Sequence, residues 1–239
     1  MRQTLGINPM RTLLTLLVAL ASIATLHAQE LEYKMELGVH GGGAFYMGDA
    51  NVNTPFLNTS YATGILARYN INQRMVVKGD LAVAHLSIDA ANSHNHFPDG
   101  TALTFDRNAY ELSTQFEYNF FAYGTGSGFK DSHRLTPYIQ LGLGLTFLPK
   151  PIDNVLAFHI PIGAGVKYKI APRWNVGAEW TFRFTTTDRI DCTDAALLPL
   201  ADPYGVNSKG IFKNRDSYSL LVGYISYDLF AKLRRCTNL

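Results

Sequence analysis

From Pro137 to Phe147 the side chains alternate strictly. Ile139, Leu141, Leu143, Leu145 and Phe147 fall on one side, and Tyr138, Gln140, Gly142, Gly144 and Thr146 on the other. A period of two predicts a β-strand with two unlike faces. The run from Phe158 to Ile170 repeats the pattern, with Ile160, Ile162, Ala164, Val166 and Tyr168 set against His159, Gly163, Gly165, Lys167 and Lys169. So does Trp174 to Phe184, where Trp174, Val176, Trp180 and Phe182 oppose Asn175, Gly177, Glu179 and Arg183. From Tyr110 to Phe120, Leu112, Phe116 and Tyr118 oppose Glu111, Gln115 and Glu117. Weaker alternation covers Glu36–Tyr46, Tyr61–Asn70, Met75–Ile88 and Tyr218–Lys232. The phase of the last run stays open, because Leu220 and Val222 compete with Leu221 and Ile225. Eight strands result, each able to supply the ~9–11 residues with which a tilted strand crosses a bilayer.

The connections alternate in length. Asn70–Arg74 and Ala171–Arg173 are tight turns, while the links near 47–60, 89–107 and 186–217 are long and polar. Short turns at one end and long loops at the other are the pattern of outer-membrane barrels, with the turns on the periplasmic side. Two links depart from it: 120–135 is long for a turn, and 148–156 is short for a loop.

The polar face carries five cations, Arg68, Lys78, Lys167, Lys169 and Arg183, and five anions, Glu36, Asp80, Glu111, Glu117 and Glu179. In a soluble β-sandwich they would form the solvent face. In a barrel they point inward, where opposite charges pair and water can reach them. Tyr61, Tyr110, Tyr118, Tyr168, Trp174 and Phe184 near strand ends suit interfacial girdles and favour the barrel. Eight strands enclose an interior that side chains can fill, so a wide pore is not expected.

The N-terminus changes the setting. Arg2 and Arg11 precede an apolar stretch from Leu13 to Leu26, and Ala28 stands at a cleavage point. Residues 1–28 thus read as a signal peptide and residues 29–239 as the barrel. Without the leader's two Arg, 21 basic residues against 19 acidic become 19 against 19. That balance offers no basic patch for nucleic acid. The expected fold is therefore all-β: an eight-stranded antiparallel transmembrane β-barrel of the bacterial outer membrane, with a periplasmic C-terminus.

Candidate chemistry is sparse. His94, His96 and Asp99 could hold a metal, but they share one long loop and are a weak signal. His40, His85 and His159 lie along strands with no partner assignable from sequence. Gly41-Gly42-Gly43 lacks the Lys-Ser/Thr of a phosphate cradle. No metal, cofactor, small-molecule substrate or catalytic residue is assigned, and a non-enzymatic role is expected. Cys192 and Cys236 remain. The strand count puts them on opposite sides of a ~25–30 Å layer, beyond the ~7 Å reach of a disulfide. Cys236 is therefore a candidate for an intermolecular disulfide with a periplasmic partner, the alternative being a tolerated free thiol.

Four segments, in order, carry a resemblance. They are Glu36-Leu-Gly-Val-His-Gly-Gly-Gly-Ala-Phe-Tyr46-Met-Gly48-Asp49, Ala67-Arg-Tyr-Asn70, Ile160-Pro-Ile-Gly-Ala-Gly-Val-Lys-Tyr168 and Thr186-Thr-Asp188-Arg-Ile-Asp191. Together they resemble the PorG-like outer-membrane barrels of the type IX secretion system, over nearly all of the chain past the leader. The family's last loop carries an aromatic and a further acid where Arg189 and Cys192 stand here. The resemblance implies a non-enzymatic part of a protein secretion machine. Such a barrel would anchor or organise a periplasmic ring made of a lipoprotein and its partner. The alternative is a surface adhesion or host-interaction barrel working through its outer loops; a lipid-modifying enzyme and a narrow channel are the remaining rivals.

Overall fold

The computed structural model describes residues 33–47, 59–89, 104–124, 132–149, 154–187, 190 and 216–231. The leader, His94, His96, Asp99, Cys192 and Cys236 lie outside them. The eight strands are β1 (Tyr33–Met47), β2 (Ser60–Asn70), β3 (Met75–Asp89), β4 (Thr104–Asn119), β5 (Leu135–Leu148), β6 (Val155–Ala171), β7 (Trp174–Thr185) and β8 (Ser217–Ala231). Each pairs antiparallel with the next, and β8 closes on β1 from Tyr33↔Ala231 to Met47↔Ser217. Closure leaves no edge strand, which is what a sheet needs where water cannot satisfy its backbone.

Both faces follow the alternation. Leu141, Leu143, Phe158, Trp174 and Trp180 point outward, and Leu143 and Phe158 are 69% and 68% exposed. Large apolar side chains cover the outer wall on every strand, far beyond the few hundred Å² that a protein in water tolerates. The ten charged residues all point inward, none more than 5% exposed. The expectation of water among them is corrected: side chains fill the interior. The phase of β8 is settled with Leu220, Val222 and Tyr224 inside and Leu221 and Ile225 outside.

Inward glycines make the filling possible. A Cβ at Gly64 would overlap the His40 ring, one at Gly144 the His159 ring, and one at Gly177 the Tyr224 ring. Each bulky inward side chain thus lies over a neighbouring strand that has none at that point.

The two irregular links have local causes. In the 120–134 link, Tyr123 N–H donates to the Gln73 carbonyl at 3.2 Å and His133 N–H to the Ala122 carbonyl at 2.7 Å. The described part of the link thus brings Tyr123 across the turn-side mouth. The exit of β5 into the short link is held by Arg107, whose guanidinium donates to the carbonyls of Leu148 and Pro149, both at 3.2 Å. The tight β2–β3 turn is an Asx turn, with Asn72 Oδ1 accepting from the N–H groups of Arg74 and Met75 at 2.8 and 2.7 Å.

Candidate functional site

The interior is stacked in layers. The middle layer centres on Arg68 of β2. Its guanidinium reaches Glu36 of β1 and Glu117 of β4, both at 2.9 Å, and Glu179 of β7 at 3.6 Å. The Tyr224 ring lies 4.3 Å from the guanidinium carbon. Lys78 of β3 donates to Glu179 and to Gln140, each at 2.8 Å. Tyr138 donates to Glu179 at 2.8 Å, and Lys167 lies 3.4 Å from Glu117. Taking a charge out of water costs several kcal/mol, and only close, multiply bonded counter-charges offset that cost. Glu117 and Glu179 each bridge two or more cations, so the layer is one network with no isolated pair.

Towards the loops, Arg183 meets Glu111 at 3.0 Å and His40 meets Asp80 at 3.2 Å. Thr146 Oγ1 lies 2.7 Å from His159 Nδ1 and 2.9 Å from the Tyr218 hydroxyl. A hydroxyl beside an imidazole has the spacing of a nucleophile and its base. Here both residues are buried, and an apolar layer sits above them. That layer contains Tyr46, Leu86, Leu148, Leu220 and Ile190, all buried. Ile190 arrives from beyond β7, and its N–H donates to Asp216 Oδ2 at 2.8 Å; Tyr46 donates to the other oxygen of Asp216.

At the turn end, Asp228 takes 2.5 and 2.8 Å bonds from Lys169 and Asn175. Tyr123 donates to Asn175 at 2.8 Å, and its ring lies 5.1 Å from Lys167 Nζ and 5.4 Å from Lys169 Nζ. Burial pushes the Tyr123 phenol up, which keeps it a donor. Both mouths are thus stopped, one by apolar packing and the other by an aromatic ring over two cations.

All ten charges singled out from sequence enter this interior, and His40 and His159 join them. His85 does not: it stacks on Tyr61 at 5.1 Å near the loop end. Sequence reasoning missed Asp228, Tyr123 and the Ile190–Asp216 contact. Asp228 had a usable signal, as the sole acid in the Tyr218–Lys232 run. An inward Asp228 puts Leu220, Val222 and Tyr224 inward by parity, which decides the phase of β8. Tyr123 had none, because its role depends on how an irregular link folds back.

Residues 11–228 match a protein family described as Domain of unknown function (DUF6089). No curated protein matches the chain. Among solved structures the chain is similar to Neisserial surface protein A (NspA), at 11% identity and a TM-score of 0.48, over 82% of this chain and 97% of that one. It is also similar to Ail, the attachment invasion locus protein of Yersinia pestis, in complex with the heparin analogue sucrose octasulfate. That match has 10% identity and a TM-score of 0.46, over 83% of this chain and 100% of the other. A third is the outer membrane protein OprG from Pseudomonas aeruginosa, at 10% identity and a TM-score of 0.43, over 86% of this chain and 100% of that one.

Proposed function

The chain belongs to the DUF6089 family, and we propose that it is a non-enzymatic transmembrane barrel of the bacterial outer membrane that anchors or organises a protein secretion complex on its turn side. One observation carries the reading: the wall is apolar all round while the interior charges are consumed by one another behind two stopped mouths. An apolar wall suits a lipid surround. A filled interior suits neither a conduit nor a site that must admit substrate. What remains for such a molecule is contact, through its ends or its wall.

The turn end is the side that a periplasmic ring would meet. Both described chain ends, Tyr33 and Ala231, pair there. Cys236 follows Ala231 shortly in sequence and is the proposed disulfide tether to a periplasmic partner. The resemblance to PorG-like barrels of type IX secretion supports the choice of machine, with a ring lipoprotein and its partner as the contacts.

The test is to solubilise native outer membranes with thiols blocked, purify the tagged protein, and compare gels with and without reductant. A reductant-sensitive adduct that carries a periplasmic ring component and vanishes in Cys236→Ser is the expected result. A lone monomer without any secretion partner would remove the tether and weaken the scaffold reading. It would favour a surface adhesion barrel, for which loop deletions abolish binding and Cys236→Ser is silent.

A further inference from the structure

We propose that the outer wall over β5–β8 is a binding site for an anionic phospholipid of the turn-side leaflet, with an acyl chain in an apolar groove and the phosphate at Arg173. The inference rests on the transmembrane reading but not on any role in secretion.

The groove has a volume of about 640 Å³, within the ~300–1,000 Å³ of small-molecule sites. Its floor is Ala164 and Ala178, and Ile139, Trp180, Phe182 and Leu221 stand around it. The register explains the depression. Ala164 lies between Ile139 and Trp180 on the neighbouring strands, and Ala178 lies beside Val166. Gly163 and Gly165 flank Ala164 but face inward, so on the outer wall the floor is set by the two alanines. A small outward residue among large ones leaves a channel that a flexible chain can fill.

Charge selects the occupant. Arg173 is exposed at the turn end of this wall, in the β6–β7 turn; Arg134 is exposed too, but it continues β5 in the parity of inward Thr136, opposite inward Lys169, and so belongs to the mouth and not to the wall. The Arg173 guanidinium is held over the rings of Tyr33 and Tyr227 at 5.5 and 6.0 Å and donates to the Tyr227 hydroxyl at 3.2 Å. A guanidinium has five N–H donors, so that bond leaves others for a phosphate, which it can grip in bidentate fashion. No exposed Asp or Glu competes at this end among the described residues, and Asp228 is buried on Lys169. Depth agrees as well. Trp174 to Ala178 is roughly 13 Å along β7 at ~3.3 Å per residue. That places the floor under a chain whose head lies at Arg173, within the ~15 Å half-thickness of the hydrocarbon layer. A hydrophobic protein segment would fill the groove but would not need the cation.

The chain's two tryptophans, Trp174 and Trp180, make the test direct. In Trp174→Phe, Trp180 is the sole reporter and stands in the groove wall. The protein is reconstituted in phosphatidylcholine vesicles with a minority of chain-brominated lipid, either phosphatidylglycerol or phosphatidylcholine. Brominated phosphatidylglycerol is expected to quench Trp180 several-fold more than the same fraction of brominated phosphatidylcholine. Arg173→Gln should bring the two to parity, and so should Ala178→Leu, which fills the floor and keeps the arginine. Equal quenching by the two lipids in the parent overturns the site while leaving the membrane reading intact. So does an excess erased by millimolar inorganic phosphate, which would assign Arg173 to the free anion. No quenching by either lipid means the barrel does not insert, and both readings fall together.

Discussion

Lys78 on β3 and Glu179 on β7 meet at 2.8 Å across the whole width of the barrel. The two strands stand four places apart in a ring of eight, on opposite walls. A single ion pair therefore ties together residues 101 positions apart in sequence. Glu179 also accepts from Tyr138 and lies beside Arg68, so it is the acid on which the middle layer hinges. Glu179→Leu should destabilise the folded barrel by about 3–5 kcal/mol, the cost of stranding buried partners. Glu179→Leu with Lys78→Met should cost less than the sum of the two single changes. Urea titration of protein refolded in vesicles measures all three. Strict additivity would show that the pair is not coupled.

The inward glycines yield a second prediction. A Cβ at Gly144 would meet His159 and Ser113, both through their side chains. Gly144→Ala should therefore cost about 1–3 kcal/mol by overpacking. Adding His159→Ala removes the nearest obstacle, so the double variant should be more stable than the sum of the singles requires. A Gly144→Ala protein as stable as the parent would mean that the His159 ring is free to swing away.

Most of this architecture was legible in the alternation, because a sheet with one apolar and one charged face admits no other period. Arg68, Lys78, Glu117 and Glu179 could be placed inward from their neighbours alone. Which charge would meet which could not. Partners such as Lys78 and Glu179 are set by closure and stagger of the whole ring, not by local sequence. The stoppers were hidden for a different reason. Tyr123 and Ile190 belong to irregular segments, where no periodicity reports the direction of a side chain.

Those stoppers lead to a third prediction. With an apolar layer at one mouth, Tyr123 at the other and the Arg68 network between, the protein should give no steady conductance in planar bilayers. Tyr123→Ala should stay closed, since it removes one of three successive barriers. An open channel in the parent would contradict the packed interior and revive the channel reading.

Asp216 ties two separate pieces of the loop end, accepting from Tyr46 of β1 and from the N–H of Ile190. Asp216→Ala frees both donors beneath an apolar layer. Unmade buried bonds cost about 1–3 kcal/mol each. Cleavage by an added protease within 191–215 should accelerate, while the β1–β8 ladder keeps the rest of the barrel protected. If cleavage of the variant matched the parent, Asp216 would not be what holds Ile190 at the mouth.

The last prediction concerns sidedness. Ile190 packs in the loop-side layer, whereas Ala231 pairs with Tyr33 at the turn end. These are the described residues nearest in sequence to Cys192 and Cys236, so the two thiols should lie on opposite sides of the membrane. A maleimide too polar to cross the membrane, added to intact cells, should label the Cys236→Ser protein through Cys192. The Cys192→Ser protein should be labelled only after the cells are opened and treated with reductant. Labelling of Cys236 in intact cells would put the turn end outside. Arg173 would then face the outer leaflet, and a periplasmic ring could not reach the turn end.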